Sequence, residues 1–256
     1  MSCHITKDTK NNKMKTLKIT LIALAGLATI TSCKKGGVFC YGANGNTTTE
    51  TRTASNFDEV ELAMAGDVYI TKADNYSVQI EASDNLHEII ETKVSGSELE
   101  IDLQNNKCLK GNSNVKIYIT MPELTGLTVS GSGGIYVSSF FDSNSMDIDI
   151  SGSGEIEMDS LKVNSFDANI SGSGEMLIHG VDTCNNQKLN ISGSGKFRGY
   201  DMITAHSDIN ISGSGDCEVN VVESIKAKIS GSGNVTYKGT PTVDSNISGS
   251  GSIRQY

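Results

Sequence analysis

The chain has 256 residues, 37% of them hydrophobic and only 5% aromatic, with no tryptophan, and carries 21 basic against 30 acidic residues for a net charge of −9. That length allows one large or two ordinary domains. The acidic balance, without any basic stripe that could follow a phosphate backbone, excludes nucleic acid as a partner.

The N-terminus reads as an address. Lys15 and Lys18 precede an uncharged run from Ile19 to Ser32, of which Ile19–Ile30 is mostly apolar. A membrane-spanning helix needs about 20 apolar residues, so this run is too short and fits the core of a signal peptide. Residues 1–32 are thus read as a leader, with Met14 as an alternative start because Met1–Lys13 is polar. Ile30-Thr31-Ser32-Cys33 resembles the lipobox of bacterial lipoproteins, which would make Cys33 the lipid-attachment residue and the membrane a partner; a plain secretory leader with an incidental cysteine is the other reading. Removing residues 1–32 takes away five lysines and one aspartate, leaving 16 basic and 29 acidic residues, net −13.

Residues 33–55 are rich in Gly, Asn and Thr without apolar periodicity and are expected to form a flexible tether. Apart from Cys3 in the leader and Cys33, four cysteines remain in a chain destined for an oxidising compartment. A bridge between Cys40 in the tether and Cys108 in a turn-like segment would pin the tail. Cys184 and Cys217 fall at different phases of the repeat described next and are expected to be unpaired. There is no Cys-x-x-Cys, and His87, His179 and His206 are isolated, so no zinc site and no cofactor is expected.

Strand-like alternation begins near Phe57 and runs through Val60, Leu62 and Met64, then Val68 and Ile70, Val78 and Ile80, Ile89–Val94, Leu99–Leu103 and Val115–Ile119. Residues 84–91 fit a helical turn or a strand. Ser95-Gly96-Ser97-Glu98 looks like a decayed copy of a later motif, so this half is expected to be a cap of irregular rungs. Ser-Gly-Ser-Gly then occurs seven times, at Ser130, Ser151, Ser171, Ser192, Ser212, Ser230 and Ser248, with spacings of 21, 20, 21, 20, 18 and 18 residues. A fixed period near 20 is the mark of a solenoid in which each repeat is one layer. At about 3.3 Å per residue a rung has a perimeter of roughly 60–70 Å, suited to a two- or three-sided coil. In the second rung the strand signals are Ile150–Ile156, Leu161–Val163 and Phe166–Ile170, with Asp159-Ser160 and Asn164-Ser165 at corners. The expected fold over residues 56–256 is one all-β, right-handed parallel β-helix. Each tetrapeptide is read as a strand with serine outward, forming hydroxyl ladders, and glycine inward; the alternative is that glycine takes positive φ and makes a corner.

Phe57-Asp58-Glu59-Val60-Glu61-Leu62, Gly66-Asp67-Val68-Tyr69-Ile70, Leu99-Glu100-Ile101, Val115–Ile119 and Leu127–Ile135 together resemble the head domain of autotransporter adhesins, the head GIN domain, across about residues 57–253. The resemblance implies a β-helix and a secreted lipoprotein of the Gram-negative envelope, and supplies no catalytic residues. Lys34-Lys35 after Cys33 leaves the outer-membrane face undecided, since surface-export signals in such lipoproteins tend to be acidic.

Other chemistries fare poorly on the residues. Position one after each tetrapeptide holds Gly134, Glu155, Glu175, Lys196, Asp216, Asn234 and Ser252, which is not the fixed-phase aspartate of a calcium β-roll. A polysaccharide lyase or hydrolase, the competing function, needs carboxylates and basic groups converging on one face. Here Asp147, Asp149, Glu155, Glu157 and Asp167 are expected to form an outward solvated face. Tyr69, Tyr76, Tyr118, Tyr136, Tyr200 and Tyr237 could line one sugar-binding face, although strand packing is the commoner role. Asp159-Ser160-Leu161 resembles an O-glycosylation acceptor at Ser160. The favoured expectation is a non-enzymatic, adhesin-like or scaffolding envelope lipoprotein that meets a glycan or protein through its surface, with self-association through the last rung as a further expectation.

Overall fold

The computed structural model describes residues 38–111 and 113–256; the leader and Cys33 lie outside the described residues. Val38–Tyr256 forms one unit, a β-solenoid of about 6 turns. The parallel β-helix that the period implies is what this chain forms.

Register explains the core. In the strands leading into the tetrapeptides, Ile101, Leu62, Val129, Ile150, Ile170, Ile191, Ile211, Ile229 and Ile247 pair in one parallel column. Beyond the tetrapeptide a second column runs Ile117, Val68, Ile135, Ile156, Met176, Phe197, Cys217, Val235 and Ile253. All but Ile247 and Ile253 are buried, each contributing about 1.5–3 kcal/mol relative to an exposed side chain. The alternation breaks three times per rung. Successive outward residues occur at Ser151-Gly152-Ser153, Asp159-Ser160 and Asn164-Ser165. Those are three corners, and the coil is three-sided.

The tetrapeptide is therefore a corner and not the middle of a strand. The expected strand Ile150–Ile156 is interrupted: one strand ends at Gly152 and the next, Glu155–Gly172, begins beyond Gly154. The first glycine of every copy after the first has positive φ, +147° at Gly152 and +131° at Gly172, a region that side chains with a Cβ avoid. The second glycine faces inward: a Cβ on Gly174 would stand 2.5 Å from Ile150 Cγ2 and 2.8 Å from Gly154 O. Corners stack through the backbone, Ser173 N donating to Gly152 O at 2.8 Å and Glu175 N to Gly154 O at 3.0 Å. Among the described residues the side-chain ladder is made by asparagines and not, as expected, by the tetrapeptide serines. Asn190 Nδ2 donates to Asn169 Oδ1 at 2.8 Å, and Asn210 Nδ2 to Asn190 Oδ1 at 3.3 Å.

The N-terminal half departs from a set of irregular rungs. Its strands Glu59–Leu62, Asp67–Lys72, Glu98–Leu103 and Lys116–Met121 do continue the parallel ladders. Ser77–Ser83, however, pairs antiparallel with Lys116–Met121, and Ile90–Ser95 pairs antiparallel with Glu98–Leu103. Ser95-Gly96-Ser97 is thus a hairpin turn, with Gly96 at φ +66°, and not a decayed repeat. Residues 84–91 hold a 3₁₀ turn at Asp84–Leu86 and the start of a strand at Ile90.

The tether expected over residues 33–55 is corrected from Val38 onward. Phe39–Tyr41 is a strand parallel to Lys107–Leu109, and Thr47–Arg52 is a strand antiparallel to Ser77–Ser83. Side chains hold the stretch between them: Asn44 Nδ2 and Asn46 Nδ2 donate to the Asp84 carboxylate, and Asn85 Nδ2 donates to Gly42 O at 2.9 Å. These bonds, Asn46 first, lower the Asp84 pKa. Polar composition and missing periodicity suggested disorder, but an exposed strand needs only a neighbour that offers a free edge.

Candidate binding faces of the solenoid

Each side of the coil presents its own outward rows. On the side entering the tetrapeptide, one row runs Glu98, Glu59, Gly126, Asp147, Asp167, Lys188, Asp208, Lys226 and Asp244. Its beginning is acidic and its end alternates in sign. Partial burial, then Glu61, Glu59 and Glu100, raises the Glu98 pKa; partial burial, then Asp167 and Asp149, raises that of Asp147. Farther along, Lys188 Nζ pairs with Asp167 Oδ2 at 3.0 Å. There a shallow groove of about 370 Å³ is bordered by Asp167, Lys188, His206, Asp208, Ser224 and Lys226. His206 Nδ1 meets Ser224 Oγ at 2.9 Å, and Nε2 lies 3.4 Å from Glu223 Oε2. The three residue types are those of a hydrolase triad. His206 and Glu223 are nevertheless 51% and 63% exposed, so water screens the pair and the dry surroundings that strengthen such chemistry are missing from it.

On the side leaving the tetrapeptide, Tyr118, Tyr69 and Tyr136 occupy one row in three adjoining strands. Their rings stack at 5.5 and 5.4 Å between centroids. Rings stacked on each other turn edges and hydroxyls outward, whereas a sugar needs an open ring face. The ladder is packing. Burial, then Glu155 and Asp67, pushes the Tyr136 phenol up to about 12. Tyr76 instead packs on Phe57 at 4.9 Å, Tyr200 on Tyr256 at 5.4 Å, and Tyr237 against the core. The six tyrosines thus do not share a face. The five clustered carboxylates are likewise divided by the corner, Asp147, Asp149 and Asp167 before it and Glu155 and Glu157 after it. Glu175 is neutralised by Arg198 at 2.7 Å.

The third side carries what the sequence reading missed. Phe140, Val181, Ile203 and Val222 are 45%, 58%, 42% and 45% exposed. They sit 10, 10, 11 and 10 residues after Ser130, Ser171, Ser192 and Ser212. Val181, Ile203 and Val222 belong to three successive rungs, although Ile203 pairs with Asn220 and Val222 lies two residues farther along, beside the next corner. In the repeat from Ser151 the same phase holds Leu161, which is buried, beside the corner residues Asp159 and Ser160. The signal was present as an apolar residue at constant phase, but equal to a core position until the side-chain direction was known.

The cysteines separate into two kinds. Cys40 and Cys108 are direct partners in the Phe39–Tyr41 and Lys107–Leu109 pairing and form a disulfide, with Cα atoms 4.3 Å apart. Cys184 and Cys217 are buried free thiols. Burial pushes the Cys184 thiol up to about 11 and that of Cys217 higher still. Among the described residues no three His, Cys, Asp or Glu side chains are grouped to hold a metal ion.

A family defined as "Putative auto-transporter adhesin, head GIN domain" matches residues 56–241. The chain belongs to the head GIN domain family. Among solved structures, a "putative adhesin" of Bacteroides fragilis superposes with a TM-score of 0.78 at 24% identity, over 84% of this chain and 100% of that one. A "putative lipid binding protein" of Parabacteroides distasonis gives 0.72 at 26% identity, over 84% and 99%. A "putative adhesin" of Parabacteroides merdae gives 0.67 at 17% identity, over 85% and 99%. No curated protein matches the chain. These superpositions show that the fold is shared with the three solved structures.

Proposed function

We propose that this head GIN protein is a non-enzymatic envelope lipoprotein, anchored through Cys33, whose head binds a glycan or protein ligand through the third side of the coil. The observation that carries the binding face is the set of exposed apolar side chains that successive rungs place on this side, Val181, Ile203 and Val222, with Phe140 near its far corner. Exposed apolar side chains repeated on one side mark interaction surfaces more often than scattered ones do. The other two sides are occupied by paired charges and a self-stacked tyrosine ladder, which leaves less there for a partner. Membership of a family named for adhesins supports the same reading.

Immobilised head, tested against host glycans, matrix proteins and cell-wall polymers, is expected to retain at least one of them, with a Val181→Ser, Ile203→Ser, Val222→Ser variant losing at least tenfold in affinity. Retention of full affinity by that variant would move the binding face elsewhere. Release of reducing or unsaturated ends from uronic-acid polymers would replace adhesion with catalysis. Protease shaving of intact cells tests the outward orientation that adhesion requires.

A further inference from the structure

We propose that the edge made by Val38–Tyr41 and Lys107–Lys110 rests on the anionic lipid surface to which the chain is anchored; this inference depends on the lipid at Cys33 proposed above. Three observations meet at this edge. The first is reach. Val38 is five residues from Cys33, and an extended residue spans at most about 3.6 Å, so Val38 lies within about 18 Å of the anchor. The disulfide from Cys40 to Cys108, 68 residues apart, passes that restraint to the body of the head. A tether of 23 residues would have let the head roam; a link this short does not.

The second observation is apolar exposure. Val38 and Phe39 are both 65% exposed, at the start of the strand Phe39–Tyr41, one edge of which is taken by Lys107–Leu109. Lys107 Nζ stands 5.8 Å from the Phe39 ring and 4.6 Å from the Tyr41 ring. An aromatic and aliphatic tip with a lysine beside it suits the boundary between acyl chains and headgroups.

The third is charge. Residues 33–49 and 103–122, the two stretches that the disulfide joins, contain Lys34, Lys35, Lys107, Lys110 and Lys116 and no carboxylate, in a chain with 30 acidic residues. Lys116 is flanked by Asp67 and Glu81 in the adjoining strands, Asp102 borders the adjoining groove and Asp84 receives the Asn44 and Asn46 amides, so the uncompensated charge of the edge rests on Lys34, Lys35, Lys107 and Lys110. Lysines close to an anionic bilayer are attracted to it, while the acidic remainder of the head is held away.

The full chain, produced with its leader and reconstituted in phosphatidylethanolamine–phosphatidylglycerol vesicles, tests this. Because the chain has no tryptophan, Phe39→Trp and, separately, Tyr256→Trp in the last rung each give a single emitter. Brominated lipids are expected to quench Phe39→Trp about twofold or more, with a blue shift on vesicles, and to leave Tyr256→Trp unchanged. Lys107→Glu with Lys110→Glu is expected to remove roughly half of that quenching while the protein still floats with the vesicles. Vesicle-bound, lipidated protein whose Phe39→Trp emission is unquenched overturns the docking and leaves the anchor standing. Mass spectrometry showing no lipid on Cys33 overturns the anchor, and the docking with it.

Discussion

Cys40 lies directly across from Cys108 in a parallel pair of three-residue strands, and their disulfide is the covalent tie between the N-terminal segment and the body of the solenoid. Closing a loop of this length restricts the unfolded chain by about 4 kcal/mol in the loop-entropy description, an upper figure where the tied strand is peripheral. Cys40→Ser with Cys108→Ser is expected to lower Tm, to speed amide exchange at residues 38–41, and to leave the β-sheet circular dichroism intact. Slow exchange at residues 38–41 in that variant would show that backbone pairing suffices.

Corner glycines are expected to be the least replaceable residues of the repeat. Gly172→Ala forces a Cβ onto a backbone at φ +131° and into the Gly152 carbonyl oxygen of the rung below. Loss of about 2–4 kcal/mol is expected in urea unfolding, from strain and from the displaced corner bond. Ser171→Ala, exposed on the same corner, is expected to cost less than about 0.5 kcal/mol. Equal losses for the two would contradict the corner geometry.

The acidic rows predict a pH dependence. Glu98 has its carboxyl raised by burial and by Glu61, Glu59 and Glu100. A folded-state value above the unfolded one means that the native state holds the proton more tightly. This contribution is present below the ordinary carboxylate range and is lost as pH rises through the raised value. Glu98→Gln is therefore expected to raise Tm by about 1–2 °C at pH 7, the gain vanishing at pH 3 where both chains are neutral at this position. A pH-independent difference would assign the effect to packing.

The two free thiols give a direct reading of rung integrity. With burial raising both, Cys184 to about 11, neither is expected to react with Ellman's reagent in the native state at pH 8. Both are expected to react on unfolding, since the thiolate is the reactive form and access is blocked. Fast labelling of Cys217, in the row between Phe197 and Val235, would mean that the rungs open locally.

A hydrogen-bonded polar pair is buried in the interior. Gln187 and Ser207 are each 3% exposed, and Ser207 Oγ donates to Gln187 Oε1 at 2.9 Å, in a row that otherwise holds Phe166 and Ile225. Ser207→Ala is expected to cost about 1–3 kcal/mol by stranding the Gln187 carbonyl, and Gln187→Leu with Ser207→Ala less than that. Chemical denaturation of the two variants checks the order.

The sequence by itself determined the architecture of residues 127–253, because stacking in register demands a near-constant period and a constant inward phase, and both are written in the spacing of the Val or Ile before each tetrapeptide. It also marked Asp159-Ser160 and Asn164-Ser165 as corners, where two polar residues in succession break the alternation. What only the tertiary structure decided is the role of the tetrapeptide and of the N-terminal segment. A glycine carries no Cβ to declare its φ, so Gly152 could read as inward strand or as corner until the Gly131 and Gly172 backbones were stacked on it. Thr47–Arg52 has no apolar face of its own, and it becomes a strand because Ser77–Ser83 offers it an antiparallel edge. The exposed apolar residues of the third side escaped for the same reason: whether Val181 or Leu161 faces water depends on where the corner turns, and that is settled by the neighbouring rung.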